Sequence, residues 1–198
     1  MVNYQSTRGH KDSLSFQDVI LSGLAPDKGL YLPDSITLEN LAYLTQEDLS
    51  YENFVKTIFI SLDQASAKYV EDLAIYPGFE NSPEPVLKEL NDATVVMELF
   101  HGPTKSFKDY ALQPLGAIAN RRLDELGERG LVIVATSGDT GSAAIQAVKN
   151  SENIDIVVLH PANKVSEYQR KQMTSVIQDN VLNIAVEGSY DDCQRIAK

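Results

Sequence analysis

The sequence predicts an α/β fold whose second half is built around a mostly parallel sheet. Three observations predict it. After residue 86, short apolar runs alternate with helical stretches at the spacing of βαβ units. One of these runs, residues 131–135, is nearly all apolar, the pattern of a strand covered on both faces. Hydrophobic residues make up 43% of 198, which suits a globular chain with a sizeable core rather than a disordered one.

The elements follow in order. Residues 15–21 read as a short helix capped by Ser15, with Asp18 three residues on. Residues 29–33 read as a brief strand ended by Pro33. Tyr51, Phe54, Val55, Ile58, Phe59 and Leu62 share one face of a helix over 51–62. Residues 76–85 hold Pro77, Gly78, Pro83 and Pro85 and read as a connection. The chain thus divides into a mainly helical region, 1–85, and an α/β region, 86–198. In the second, strands are expected at 94–100, 131–135, 154–159 and 181–186, and helices at about 107–126, 140–149 and 164–178. Pro114 inside the first of these helices predicts a kink or a late start.

Composition excludes several classes. The single cysteine, Cys193, rules out an intrachain disulfide framework and fits a reducing compartment. It falls in a short amphipathic tail helix and is expected to be buried. No apolar run approaches the ~20 residues that span a bilayer, and the polar start has no signal-peptide core, so a cytoplasmic location is expected. A net charge of −11 argues against nucleic acid and membrane surfaces as partners. The charge is lopsided: residues 1–100 hold 16 acids and 6 bases, residues 101–198 hold 12 and 11. A bound small anion is better tolerated in the second half. No metal site is expected.

Two loops carry the chemistry. The first, Ala135-Thr136-Ser137-Gly138-Asp139-Thr140-Gly141, follows the strand at 131–135 and opens a helix. Glycine admits close approach to a ligand, and first-turn N–H groups favour an anion. On the residues alone, a binding loop and a plain helix cap stay equally open. The loop is not G-x-G-x-x-G, a P-loop or a nucleophile elbow. The second, His101-Gly102-Pro103-Thr104-Lys105-Ser106-Phe107-Lys108-Asp109, follows the strand at 94–100. A lysine there, partly desolvated, would be poised for Schiff-base chemistry. For a generic lysine, a solvated position at a helix start is the plainer reading.

His101-Gly102-Pro103-Thr104-x-x-Phe107-Lys108-Asp109, followed by the loop at 135–141, resembles the threonine synthase family. These are pyridoxal-phosphate enzymes of the tryptophan synthase β-like fold (fold type II). Ser6-Thr7-Arg8-Gly9, Ala25-Pro26-Asp27-Lys28-Gly29-Leu30-Tyr31-Leu32-Pro33 and Val186-Glu187-Gly188-Ser189-Tyr190-Asp191-Asp192-Cys193-Gln194 carry the same resemblance, which runs from residue 3 to 198. It implies that Lys108 forms the internal aldimine with pyridoxal 5'-phosphate and is the catalytic residue, Lys105 competing only by proximity. Asp139 then lies beside the cofactor, and Thr136, Ser137, Gly138, Thr140 and Gly141 hold the substrate carboxylate. Asp139, where many relatives of other activity carry Asn, points to the threonine-synthase branch with a long N-terminal region. His101 is expected to orient its loop or pack rather than catalyse. Lys28 and the pair Lys105-Ser106 depart from the family pattern.

The reaction implied converts O-phospho-L-homoserine and water to L-threonine and phosphate. Two alternatives are a phospho-lyase giving 2-oxobutyrate from the same substrate and a truncated, non-catalytic relative. The branch favours a monomer. The family's Ser-Gly-Asn-x-Gly phosphate element has no counterpart here. The expectation is therefore an N-terminal segment plus the small α/β domain, truncated before the rest of the large domain and inactive alone.

Overall fold

A computed structural model describes residues 2–35, 49–80 and 82–198. Asn81, within the connection read from the sequence, lies outside the described residues. The chain forms two compact units, Met1–Ile75 and Tyr76–Lys198.

In the first unit, β1 (Tyr4–Ser6) pairs antiparallel with β2 (Tyr31–Pro33). β1 is three residues long, too short for alternation to be read, and β2 is shorter than the run at 29–33. α1 (Phe16–Val19) is also shorter than expected, and Ser15 does not cap its backbone. Its hydroxyl donates to Asp18 Oδ2 at 2.6 Å instead. α2 (Tyr51–Leu62) spans the predicted residues, and Ser50 Oγ accepts the Asn53 N–H at 3.3 Å. A 3-10 turn (Gln64–Ser66) and α3 (Ala67–Val70) follow. Phe16 is the hub of this unit's core. Its ring lies 6.2 Å from Tyr4, 6.3 Å from Phe59 and 6.4 Å from Tyr69, in tilted and edge-on contacts that aromatic pairs favour.

The second unit opens with a hairpin of β3 (Val86–Asn91) and β4 (Thr94–Glu98). This corrects one expectation. The run at 94–100 is not part of the parallel sheet but pairs antiparallel with β3, because Asp92 and Ala93 alone separate two extended segments. The parallel sheet has the order β5 (Gly130–Ala135), β6 (Ile154–Pro161), β7 (Val181–Val186). α4 (Asp109–Leu126) precedes it, α5 (Asp139–Val148) and α6 (Glu167–Thr174) form the crossovers, and α7 (Tyr190–Ala197) ends the chain.

Ile154, Ile156 and Val158 of β6 pack against Leu123 of α4, Ala144, Ile145 and Val148 of α5, and Met173 of α6. Each such Val, Leu, Ile or Met side chain, fully buried, contributes roughly 1.5–3 kcal/mol. Gly116 lets α4 approach α5: a Cβ there would sit 2.8 Å from the Ala147 carbonyl oxygen. β5 departs from expectation. It has β6 on one side only among the described residues, and Leu131 and Ile133 stay 60% and 46% exposed. Its apolar run is therefore an open edge in this chain rather than a covered strand.

Pro114 lies within α4, which neither starts late nor ends early around it. Proline has no N–H to give the carbonyl four residues back, that of Tyr110. The Tyr76 hydroxyl donates to that oxygen at 2.9 Å, in a buried contact. At the far end, Ser189 and Asp192 form a reciprocal capping box on α7. Cys193 is fully buried, as expected, and burial pushes its thiol pKa up.

Candidate functional site

In a parallel sheet, ligands collect beyond the carboxyl ends of the strands. The loop at 136–138 leaves β5 at that end. α4 runs back into β5 through a short turn, which brings its N-terminus, and the lysine loop before it, to the same end. Two hydrogen bonds from α6 show that both loops meet there. Gln169 Nε2 donates to Asp139 Oδ1. Gln172 Nε2 donates to the Thr104 carbonyl oxygen at 2.9 Å.

The lysine loop is wound around Asp109, which is fully buried. Its Oδ2 accepts the Thr104 N–H at 2.9 Å, and its Oδ1 accepts the Thr104 hydroxyl at 2.9 Å. Burial holds the Asp109 pKa above the ordinary carboxylate range, although these hydrogen bonds and the nearby Lys105 oppose the shift. Gly102 is the residue this winding requires, since a Cβ there would lie 2.5 Å from Asp109 Oδ2.

Lys108 stands at the N-cap of α4 and is half-buried. Its Nζ lies 4.5 Å above the centre of the Phe107 ring. Among the described residues, no carboxylate pairs with it. Lys105 is exposed and occupies a left-handed backbone position with φ 61°. His101 Nε2 hydrogen-bonds Glu98 Oε2 at 2.8 Å, and the His101 ring packs 4.8 Å from Phe100. It ties the base of the loop to β4.

The second loop is wound around a neutral group. Thr136 is 1% exposed. Its hydroxyl oxygen accepts the Gly138 N–H at 3.0 Å and the Gly141 N–H at 3.1 Å, and donates to the Gly138 carbonyl at 3.1 Å. Thr136, Gly138 and Gly141 therefore form the internal frame. The first-turn N–H groups of Asp139 and Thr140 have no intrahelical partner, and Ser137 is exposed. Gly141 allows α5 to sit tight on the sheet, because a Cβ there would meet Met173 Sδ at 2.5 Å and Thr136 Cγ2 at 2.7 Å.

Three residues of this arrangement escape sequence reasoning. Asp109 reads as the tail of the lysine motif, not as the loop's centre. Gln169 and Gln172 sit in a polar helix with no signal beyond a spacing of three. A shallow polar groove lined by Arg129, Lys149, Glu152, Asp155 and Asn180 lies at the opposite, amino end of the strands and touches neither loop. Among the described residues, no cluster of His, Cys, Asp and Glu could hold a metal ion, and no helix is long and apolar enough to cross a membrane.

Residues 3–70 match the family described as "Threonine synthase N terminus". A threonine synthase of Pseudomonas aeruginosa is 45% identical over the whole of this chain and 43% of its own length. A threonine synthase-like 2 protein of Xenopus laevis is 36% identical over 96% of this chain and 42% of its own. The crystal structure of pyridoxal-phosphate-bound threonine synthase from Brucella melitensis superposes with a TM-score of 0.82 at 38% identity, covering 99% of this chain and 43% of that one. The yeast threonine synthase structure gives 0.84 at 31% identity, over 98% of this chain and 42% of that one. The chain spans less than half the length of these relatives. In sequence and in fold it matches the N-terminal portion of threonine synthase, an α/β fragment of the pyridoxal-phosphate fold type II.

Proposed function

We propose that the protein carrying this chain is a threonine synthase that converts O-phospho-L-homoserine and water to L-threonine and phosphate, with pyridoxal 5'-phosphate on Lys108. The observation that carries this reading is the gathering of two loops at one end of the sheet. One presents a half-buried lysine with no carboxylate partner among the described residues, and the other a hydroxyl-rich helix start. That donor set fits the cofactor: an amine free to condense with an aldehyde, beside N–H and O–H groups suited to an anion. The Brucella melitensis relative is described as pyridoxal-phosphate-bound.

When bound, pyridoxal phosphate supplies an electron sink for charge developing on the substrate carbons. The chain's own residues do the rest. Lys108 Nζ would hold the cofactor. Once freed, it takes protons from the substrate α- and β-carbons and returns protons to the γ-carbon, from which phosphate has left, and to the α-carbon, while water adds at the β-carbon. Ser137, Thr140 and the first-turn N–H groups of α5 receive the substrate carboxylate. Thr136, Gly138 and Gly141 frame that cradle, and Asp139 would be the loop's residue toward the cofactor. Fixing the carboxylate fixes which bond faces the sink.

The test uses the full-length protein. Borohydride trapping should fix the cofactor to Lys108, as read by peptide mass, and Lys108→Ala should abolish both the adduct and threonine formation. An adduct on Lys105, or one that survives Lys108→Ala, overturns the assignment. Similarity to the threonine synthase-like 2 proteins supports a second reading, a phospho-lyase using the same lysine. Release of 2-oxobutyrate instead of threonine from O-phospho-L-homoserine would select it.

A further inference from the structure

α6 touches both loops while being seated in the core of the second unit. Met173, fully buried, sets the helix in the core, and its carbonyl accepts the Asn183 side-chain amide at 3.2 Å. Gln169 and Gln172 precede Met173 by four and one positions, so all three lie on one side of the helix. Gln169 is itself held: its Oε1 accepts the Ser166 hydroxyl at 2.9 Å, leaving Nε2 for Asp139. Its amide lies directly over Gly138, where a Cβ would stand 2.5 Å away. Gln172 donates to the carbonyl of Thr104, the residue whose N–H and hydroxyl both go to Asp109, next to Lys108.

We propose that α6 is the spacer that sets the separation between the lysine loop and the loop at 136–141, with Gln169 and Gln172 as positioning residues. Neither glutamine touches the reacting atoms. Each holds one wall of the site, Gln169 the substrate-carboxylate wall and Gln172 the lysine wall. The proposal rests on the function proposed above. Rate is steeply sensitive to misplacement on the scale of an ångström, so a shared spacer is a direct route to catalytic geometry.

The test compares Gln169→Ala, Gln169→Glu and Gln172→Ala in the full-length protein. The first readout is amide hydrogen exchange without cofactor. Loss of one hydrogen bond should speed exchange of the affected loop about two- to tenfold. Gln169→Ala should do this at 136–141 and leave 102–108 alone, and Gln172→Ala the reverse. Gln169→Glu keeps the length and the Ser166 contact but cannot donate to Asp139, so it should behave as the alanine variant does. The second readout is kinetic: the Gln169 variants should raise KM for O-phospho-L-homoserine, and Gln172→Ala should lower kcat with KM unchanged. Equal loosening of both loops by either variant would reduce α6 to plain scaffolding and overturn the proposal, as would wild-type exchange and KM in Gln169→Glu. If the exchange pattern holds while the wild type fails to turn over the substrate, the spacer stands and the proposed reaction falls.

Discussion

Asp27 in the first unit and Asp109 in the second do similar work with opposite electrostatics. Asp27 gathers the Ser6 hydroxyl at 2.6 Å and the Gly29 N–H at 2.9 Å on Oδ1, and the His10 N–H at 2.8 Å on Oδ2. Asp109 gathers the N–H and hydroxyl of Thr104. The Ser6 hydrogen bond, helped by the two N–H groups, holds the Asp27 pKa below the ordinary range. Burial drives that of Asp109 above it. Donor count does not decide the sign. Access to water does: Asp27 keeps part of its hydration and Asp109 keeps none. The lysine loop is therefore held by a charge that is itself held at a cost.

The largest expected effect comes from removing that charge without replacement. Asp109→Ala leaves two buried Thr104 donors unmet and should destabilise the second unit by about 2–4 kcal/mol in urea unfolding. Asp109→Asn tests what the charge itself contributes. Its amide oxygen can accept the Thr104 N–H, its NH2 can donate to the Thr104 hydroxyl, and no charge is buried. It should fall within about 1 kcal/mol of wild type. An Asn variant as unstable as the Ala variant would mean that the ionised carboxylate, not the hydrogen-bond count, holds the loop.

The second loop sharpens the comparison, because a neutral hydroxyl does there what a carboxylate does in the first. Thr136→Val keeps the shape and strands the Gly138 N–H, while the Gly141 N–H keeps the Gly138 carbonyl at 3.2 Å, and should cost about 1–3 kcal/mol. Thr136→Ser keeps the oxygen and should cost less than about 1 kcal/mol. If Val and Ser behave alike, the packing of the Thr136 methyl carries the loop and the hydroxyl brace does not.

Much of this was legible in the sequence where period and chemistry coincide. α2 is set by one apolar face, β6 and β7 by β-branched runs, and both loops by glycine, hydroxyl and lysine types at a strand end. The hairpin was not legible. β3 follows a proline-rich stretch and carries Lys88, Glu89 and Asn91, so neither alternation nor an apolar run marks it. The exposure of β5 was not legible either, because an apolar strand reads as covered whatever lies beside it. Gln169 and Gln172 escape for a further reason: a glutamine has no spacing rule, and its partner is chosen only once α6 docks. Pro114 shows the reverse, a local conflict resolved by a distant hydroxyl on Tyr76.

The smallest effect bears on the opening contrast most directly, since it reads the two signs themselves. A carboxylate whose pKa is raised on folding contributes most below its unfolded pKa of about 4, and loses that contribution as pH rises through the folded value. Asp109 is of this kind. A carboxylate whose pKa is lowered contributes above about 4, and loses its contribution as pH falls through the folded value. Asp27 is of that kind. Urea unfolding between about pH 3 and pH 7 should therefore move the two Asn variants in opposite directions. As pH rises, Asp109→Asn should gain on wild type. Over the same range Asp27→Asn should fall further behind, because one amide oxygen cannot replace both carboxylate oxygens for Ser6, Gly29 and His10. Two variants drifting the same way with pH would show that water access does not separate these carboxylates.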